Sequence, residues 1–459
     1  MILNNYLPYL AKRMILCNTK IMNEPLEKYC RVIFIPIFFM LVVLSFDSVY
    51  SFEFQPLSPK AMSMGGAGVA SAEGSFAPYF NPALLAVYED KKEFHLSGGF
   101  GLRENNMADH IDSLYEMDIT ESLDRIAQSA PFLSDIDRML VTETKDILNS
   151  LSDGNGLQGM PFTTFGLQYN NFGFGIFGMS EASGYANVDP NRLDIIVEYE
   201  GYYWKYDELE NTLDEVTKED YIAHSIEYAL NQKLTYLQLK GLAYSEIPLS
   251  YAYRFDSKYG TFNIGGSVKI MPGLTYDQRI DIDTESGQLE DELRDAEKYD
   301  TGWGVDLGFL YKHPKLKDLS FGLVAKNLNT PRFDTITGDT IKVRPQVRFG
   351  MAHTFFEKKL ELALDMDLTK NKTLIPGVES QFIGGGFGYN PADWFSIRGG
   401  IMRNMHESDD GTILTGGLGF VISYLEIDIS AQYSTEKGEF KGNDIPAFGW
   451  LQVGLIYRL

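Results

Sequence analysis

The sequence predicts an all-β fold, a transmembrane antiparallel β-barrel of about 14 strands, with roughly 12–16 compatible with the turn pattern. Three observations predict it. From about residue 160 onward, apolar and polar residues alternate in one segment after another. A single apolar run near the N-terminus has the form of an export signal. The chain ends on Gln452-x-Gly454-x-x-Tyr457-x-Leu459, which reads as one more strand.

Composition agrees with this class. The 459 residues include 43 Gly, 30 Phe, 27 Tyr and 4 Trp, and glycine with aromatics in short alternating segments is what barrel strands and their interface girdles require. Mean hydropathy is −0.16, too low for a bundle of membrane-spanning helices. The net charge of −23 argues against nucleic acid as a partner, because a phosphate-binding surface needs clustered Lys and Arg. Acids concentrate in two stretches, 104–150 and 181–233, which therefore read as solvated insertions and not as wall.

The first 51 residues are expected to be a leader and signal peptide. Arg31 precedes Val32 to Phe46, a run that is apolar except for Ser45. It is short for a membrane-spanning helix, which needs about 20 residues. Val49 and Ser51 suit the positions flanking a signal-peptidase cut, so cleavage is placed between Ser51 and Phe52. The only cysteines, Cys17 and Cys30, precede that cut. The mature chain would carry no disulfide, thiolate nucleophile or cysteine metal site.

The alternation is clearest at Phe172-Gly173-Phe174-Gly175-Ile176, which puts Phe172, Phe174 and Ile176 on one face and glycines on the other. Thr163–Tyr169 precedes it, and Asn170-Asn171 supplies the turn of a hairpin. Similar segments are Ile247–Phe255, Gly260–Met271, Thr301–Lys312, Leu319–Asn327, Val347–Phe356, Leu360–Leu368, Gln381–Tyr389, Phe395–Asn404, Thr412–Ser423, Leu425–Ser434 and Phe448–Arg458. Leu193–Glu200 and Leu274–Asp283 are two further candidate strands. Short turns alternate with long polar connections, the asymmetry of outer-membrane barrels. The barrel is assigned to residues 93–459.

Two stretches have helical spacing instead. In 107–151, Ile111, Leu114, Leu123, Ile126, Ile136 and Leu140 recur on one face; in Asp220–Leu234, Ile222, Ile226, Ala229 and Leu230 do. Each apolar face must bury against the lumen, its own hairpin or a partner protein. An acidic helical insertion at 107–151 makes a protein partner there an expectation.

In the terminal pattern, Leu455, Tyr457 and Leu459 would face lipid, while Gln452, Gly454, Ile456 and Arg458 would share the other face. The polar-x-Gly-x-x-aromatic-x-hydrophobic order is the form by which the barrel-assembly machinery recognises a final strand. That machinery and outer-membrane lipid are the expected partners.

The mature N-terminus reads Ala61-Met62-Ser63-Met64-Gly65-Gly66-Ala67-Gly68-Val69-Ala70, then Tyr79-Phe80-Asn81-Pro82-Ala83-Leu84-Leu85-Ala86. This resembles the start of the FadL/TodX outer-membrane transport superfamily, in which a small domain plugs the lumen. Within it the chain is more similar to the conjugal transfer TraF-like outer-membrane family. The similarity continues through Ser250-Tyr251-Ala252-Tyr253, Phe321–Leu328, Arg344–Gly350, Leu364–Asn371 and Ile397–Asn404. The resemblance implies a plug at 52–92, with Asn81 and Pro82 as gating candidates, and passage of hydrophobic small molecules. It also leaves open a non-transporting structural role in a conjugation or secretion assembly.

Other motifs lead away from chemistry. Gly65-Gly66-Ala67-Gly68 lacks the Gly-Lys-Ser/Thr of a phosphate loop, and close backbone packing explains it better. Asp281-x-Asp283-x-Glu285 has Ser286 where a calcium loop needs glycine. His95, His110, His224, His313, His353 and His406 are scattered without ligand spacing, and no nucleophile elbow accompanies them. No catalytic residue, metal or cofactor is expected.

Overall fold

The computed structural model describes residues 52–87, 92–105, 107, 119–130, 134, 139, 143, 155–207, 210, 212–280, 296–316, 318–406, 409–440 and 443–459. Ser51, the apolar run at 32–46 and the Asp281–Glu285 loop lie outside the described residues. Most of the 107–151 insertion does as well.

Fourteen strands close an antiparallel barrel. They are β1 (Lys92–Asn105), β2 (Gly156–Tyr169), β3 (Phe172–Asn187), β4 (Tyr236–Ser257), β5 (Gly260–Ile280), β6 (Glu297–Lys312), β7 (Leu319–Lys326), β8 (Gln346–Phe355), β9 (Leu360–Asp367), β10 (Phe382–Ala392), β11 (Phe395–Asn404), β12 (Thr412–Ile422), β13 (Leu425–Ser434) and β14 (Phe448–Arg458). β14 pairs with β1, for example Leu455 with Leu96, and that seam closes the ring. Closure leaves no free edge, the condition for strands in lipid.

The alternation sets which side each residue takes. Leu96, Phe100, Ile264, Val268, Ile270, Ile401, Leu414, Leu451 and Val453 are exposed and form an apolar belt. Their neighbours Ser97, Ser267, Lys269, Gln452 and Gly454 turn inward. An apolar belt around a closed barrel marks a wall that spans a membrane. All turns at one end are short, such as Asn170-Asn171, where Asn170 takes φ 52°. The connections at the other end include 188–235 and 327–345.

Three expectations change. Leu193–Glu200 is not wall: Ile196–Tyr199 joins Tyr202–Asp207 and Thr212–Val216 in a separate three-stranded sheet. Gly260–Met271 and Leu274–Asp283 are not two strands, since β5 runs unbroken through Met271 to Ile280. β4 likewise starts at Tyr236, well before Ile247. Both strands project beyond the belt, where polar residues such as Gln238, Lys240 and Asp277 blunt the alternation that the sequence reading relied on.

The separate sheet belongs to a small module beyond the wall. Helix Ile119–Gln128 packs Leu123 and Ile126 against Ile195, Val197 and Leu213, and Ile226 and Ala229 of helix Ile226–Asn231 join them. The helical spacing at Asp220–Leu234 is realised as Lys218–His224, with a Thr217–Asp220 capping box, followed by Ile226–Asn231. Among the described residues, helix Ile119–Gln128 of the first acidic insertion and helix Ile226–Asn231 of the second therefore bury apolar residues in one cluster.

Candidate functional site

Residues 52–86 lie inside the ring of strands, and all but Lys60 are buried. The sequence folds there as short pieces because proline and glycine punctuate it. Pro59 opens helix Pro59–Ser63 behind the Ser58 cap, and Pro82 opens a 3₁₀ turn behind Asn81. Between them, Gly65 and Gly66 take φ +69° and +79°, a hairpin-like reversal that side chains disfavour.

Glycines on the inner face of the wall form sockets for this segment. A Cβ on Gly308 would sit 2.0 Å from Asn81 Oδ1, one on Gly265 2.3 Å from the Pro82 carbonyl carbon, and one on Gly384 2.1 Å from the Gly65 oxygen. Gly454 leaves room for Pro59 in the same way. The repeated wall glycines are thus a packing requirement, since backbone must approach backbone.

Buried ion pairs join the segment to the wall. Arg348 (β8) reaches Asp365 at 3.3 Å and Asp367 at 3.1 Å (both β9), and donates to the Gly66 carbonyl at 3.2 Å. Asp365 accepts from the Gly68 and Val69 amides at 2.9 and 3.0 Å. Arg103 (β1) pairs with Glu53 at 2.7 Å and Asp410 at 2.9 Å. Lys269 (β5) lies 2.8 Å from Glu246 (β4) and 2.9 Å from Asp306 (β6). Lys326 (β7) lies 3.1 Å from Glu246 and sits 3.4 Å from the Tyr79 ring centre. Charges this deep persist only when paired, so each pair also fixes geometry.

At the short-turn end, a cleft of about 590 Å³ borders the segment, lined by Lys60, Glu73, Glu361, Asn390, Arg398 and Arg458 among others. Lys60 meets Glu361 at 2.8 Å. Burial pushes the Glu73 carboxyl up, against the pull of Lys60 and Arg398. Arg458 pairs with Glu93 at 3.0 Å and with Glu426, which Arg398 also holds at 2.9 Å. Glu93 in turn accepts from the Ser75 amide and hydroxyl at 3.0 and 2.7 Å. The cleft beside the segment is charged, because inward wall positions here carry paired charges.

Asn81 is fully buried. It donates to the Val69 and Phe309 carbonyls at 2.9 and 3.1 Å and accepts from the Ala83 amide at 3.1 Å, so it is a locked turn residue. Phe52 is buried against Tyr244, with ring centres 5.7 Å apart. In the terminal pattern, Gln452 points inward and donates to the Leu57 carbonyl at 2.5 Å, Tyr457 stacks outside on Phe94, and Leu459 is exposed. Sequence reasoning missed Arg348, Arg398, Glu246, Lys269 and Lys326 as site residues. Their signal was a charge at an inward parity within an apolar strand, as in Asp365-x-Asp367 and Glu426-x-Asp428.

A family model described as the TraF protein of the F plasmid transfer operon matches residues 78–367. The chain belongs to this TraF family. The match begins inside the barrel at Pro78 and ends at Asp367, so it covers both the Tyr79–Asn81 turn and the Arg348–Asp365–Asp367 cluster. Several solved structures are similar to this family member. The toluene transporter TbuX of Ralstonia pickettii has 15% identity over 90% of this chain and 98% of its own, with a TM-score of 0.45. The toluene transporter TodX of Pseudomonas putida has 11% identity over 90% and 99%, at 0.44. A Pseudomonas aeruginosa FadL homologue has 12% identity over 87% and 98%, at 0.44. No curated protein sequence matches.

Proposed function

We propose that the protein is an outer-membrane barrel that passes hydrophobic small molecules, with residues 52–86 as its plug and the wall around β3 as a sideways route into lipid. One observation carries this reading. On three neighbouring strand pairs the ladder skips two pairs and resumes in the same register. β2–β3 skips from Gly159/Ala182 to Phe162/Met179, β3–β4 from Phe174/Leu249 to Phe177/Glu246, and β4–β5 from Tyr244/Gly273 to Ile247/Ile270. Each interval contains a proline: Pro161, Pro248 or Pro272. Proline has no N–H to give the ladder, so the wall is weakest along this line.

Phe177, Tyr244 and Met271 are buried behind that line, an apolar surface for an apolar solute. The short-turn end, which outer-membrane barrels direct to the periplasm, holds the charged cleft instead. Passing an apolar molecule through paired charges is unfavourable compared with passing it into hydrocarbon. Flux of a hydrophobic probe into proteoliposomes tests the reading. An I176C/I247C pair, whose positions face each other in the skipped β3–β4 interval and leave the three prolines in place, should stop the flux when oxidised and restore it when reduced. Flux that is absent in the parent protein, or indifferent to the disulfide, overturns the proposal.

The packed acidic module supports a second reading, a structural component of a transfer or secretion assembly. Deleting 107–151 should then remove partners from a pull-down; an unchanged partner set would sink it.

A further inference from the structure

The weak line of the wall and the plug meet at one cluster of side chains. Glu246 lies in the unpaired interval of β4–β5, opposite Met271 and next to the Ser245/Pro272 position. Its carboxylate holds Lys269 through one oxygen and Lys326 through the other, at 2.8 and 3.1 Å. Lys326 in turn covers the Tyr79 ring at 3.4 Å and lies 5.2 Å from the Phe54 ring, both plug residues. Tyr79 also reaches the wall through β3. Its ring centre is 5.4 Å from that of Phe177 on β3. Phe177 folds its own ring over Gly175, at the place where β3 loses its pairing to β4: a Cβ on Gly175 would lie 2.5 Å from that ring.

Tyr79 is therefore clamped between β3, through Phe177, and β7, through Lys326. Lys326 is itself tethered to Glu246 on β4. Moving β3 away from β4 pulls both sides of the clamp in different directions. The Gly65–Val69 turn touches the Tyr79 half through the Asn81 side chain, which donates to the Val69 carbonyl, but its own amides are tied to other strands. Gly65–Val69 is held by Thr415, Arg348 and Asp365 on β12, β8 and β9.

We infer that Glu246, Lys326 and Tyr79 couple the unpaired wall to the plug, so that parting of β3 from β4 and loosening of the plug around Tyr79 occur as one motion. These are positioning residues, acting through the wall and the plug. The inference rests on the sideways route proposed above and deepens it. It predicts that the plug loosens in halves, the Phe76–Leu85 half moving with β3 and β4 while the Gly65–Val69 half stays in place.

Hydrogen–deuterium exchange on the full-length barrel in lipid nanodiscs tests this without relying on transport. In K326M, exchange should quicken by about tenfold at residues 76–85 and at 174–179 and 244–249 together, as expected for loss of a buried cation–π contact, with 65–69 unchanged. K326R, which keeps the charge over the ring, should restore parental exchange. Y79L should reproduce the K326M pattern from the plug side, and it serves as the informative variant should K326M fail to fold. The proposal is overturned if 76–85 quickens while β3 and β4 do not, or if the whole plug quickens uniformly. The split pattern without any hydrophobic flux would leave the coupling standing and remove the transport reading. Flux with uniform exchange would do the reverse.

Discussion

Arg348 shows how much a single side chain does in this lumen. It neutralises two carboxylates, being buried with Asp365 and Asp367, and donates to the Gly66 carbonyl. R348M would strand both carboxylates and free that carbonyl, a loss of about 3–5 kcal/mol for a broken buried pair. The expected outcome is a heat-modifiable gel band that converts to the unfolded position at markedly lower temperature than the parent's. An unshifted conversion would show that the cluster contributes little. The residue's importance was only half legible beforehand. Arg348 stands in a strand whose alternation points it inward, but which carboxylates it meets depends on the register of β8 with β9, fixed by the pairing of Arg348 with Asp367. The glycines were similarly ambiguous. Their frequency suggested barrel strands, whereas the close approach of Gly308 to Asn81 and of Gly384 to Gly65 gives each a separate reason.

At the scale of elements, the module beyond the wall buries a carboxyl. Glu227 on helix Ile226–Asn231 accepts from the Glu198 amide at 2.8 Å. Burial pushes its carboxyl up to about 7, outweighing the hydrogen bonds from Glu198 and Tyr221 that favour the charged form. A carboxyl with a raised pKa in the folded state binds its proton more tightly there than in the unfolded chain. Its contribution to stability is complete below the ordinary carboxyl value of 4.5 and fades as pH climbs through about 7. Amide protection at 195–199 and 225–231, measured relative to the intrinsic exchange rate at each pH, should therefore be greater at pH 5.5 than at pH 8, and E227Q should flatten the difference. Equal pH dependence in both proteins would remove Glu227 as the cause. The helices of this module were readable from periodicity. That they pack on a three-stranded sheet was not, because Ile196–Tyr199 is a β-branched, aromatic stretch like those of the wall and only its partners reveal its place.

For the whole molecule, the belt decides the environment. Leu249 on β4 is 66% exposed, between Pro248 and Ser250, both turned inward. L249R would place a cation in hydrocarbon at a cost of about 2–4 kcal/mol near the bilayer midplane. The folded fraction after refolding into lipid vesicles should fall accordingly, while the same protein in a short-chain detergent, where the head group can reach water, should lose less. Equal losses in both would place Leu249 outside the hydrocarbon. The barrel class, its strand number near fourteen, the inward and outward faces and the turn at Asn170-Asn171 were all determined by the sequence itself. They follow from local properties: a period of two, the residues that tolerate a tight reversal, and the length of chain between turns. What only the tertiary structure decided is how the lumen is packed and held. Glycine sockets, the Arg348 cluster and the Glu246–Lys326–Tyr79 clamp each join residues far apart in the chain, brought together by barrel closure and register. The proline-bearing strands β2, β4 and β5 could be seen as flawed in the sequence, but only their adjacency around β3 turns three separate flaws into one weak line.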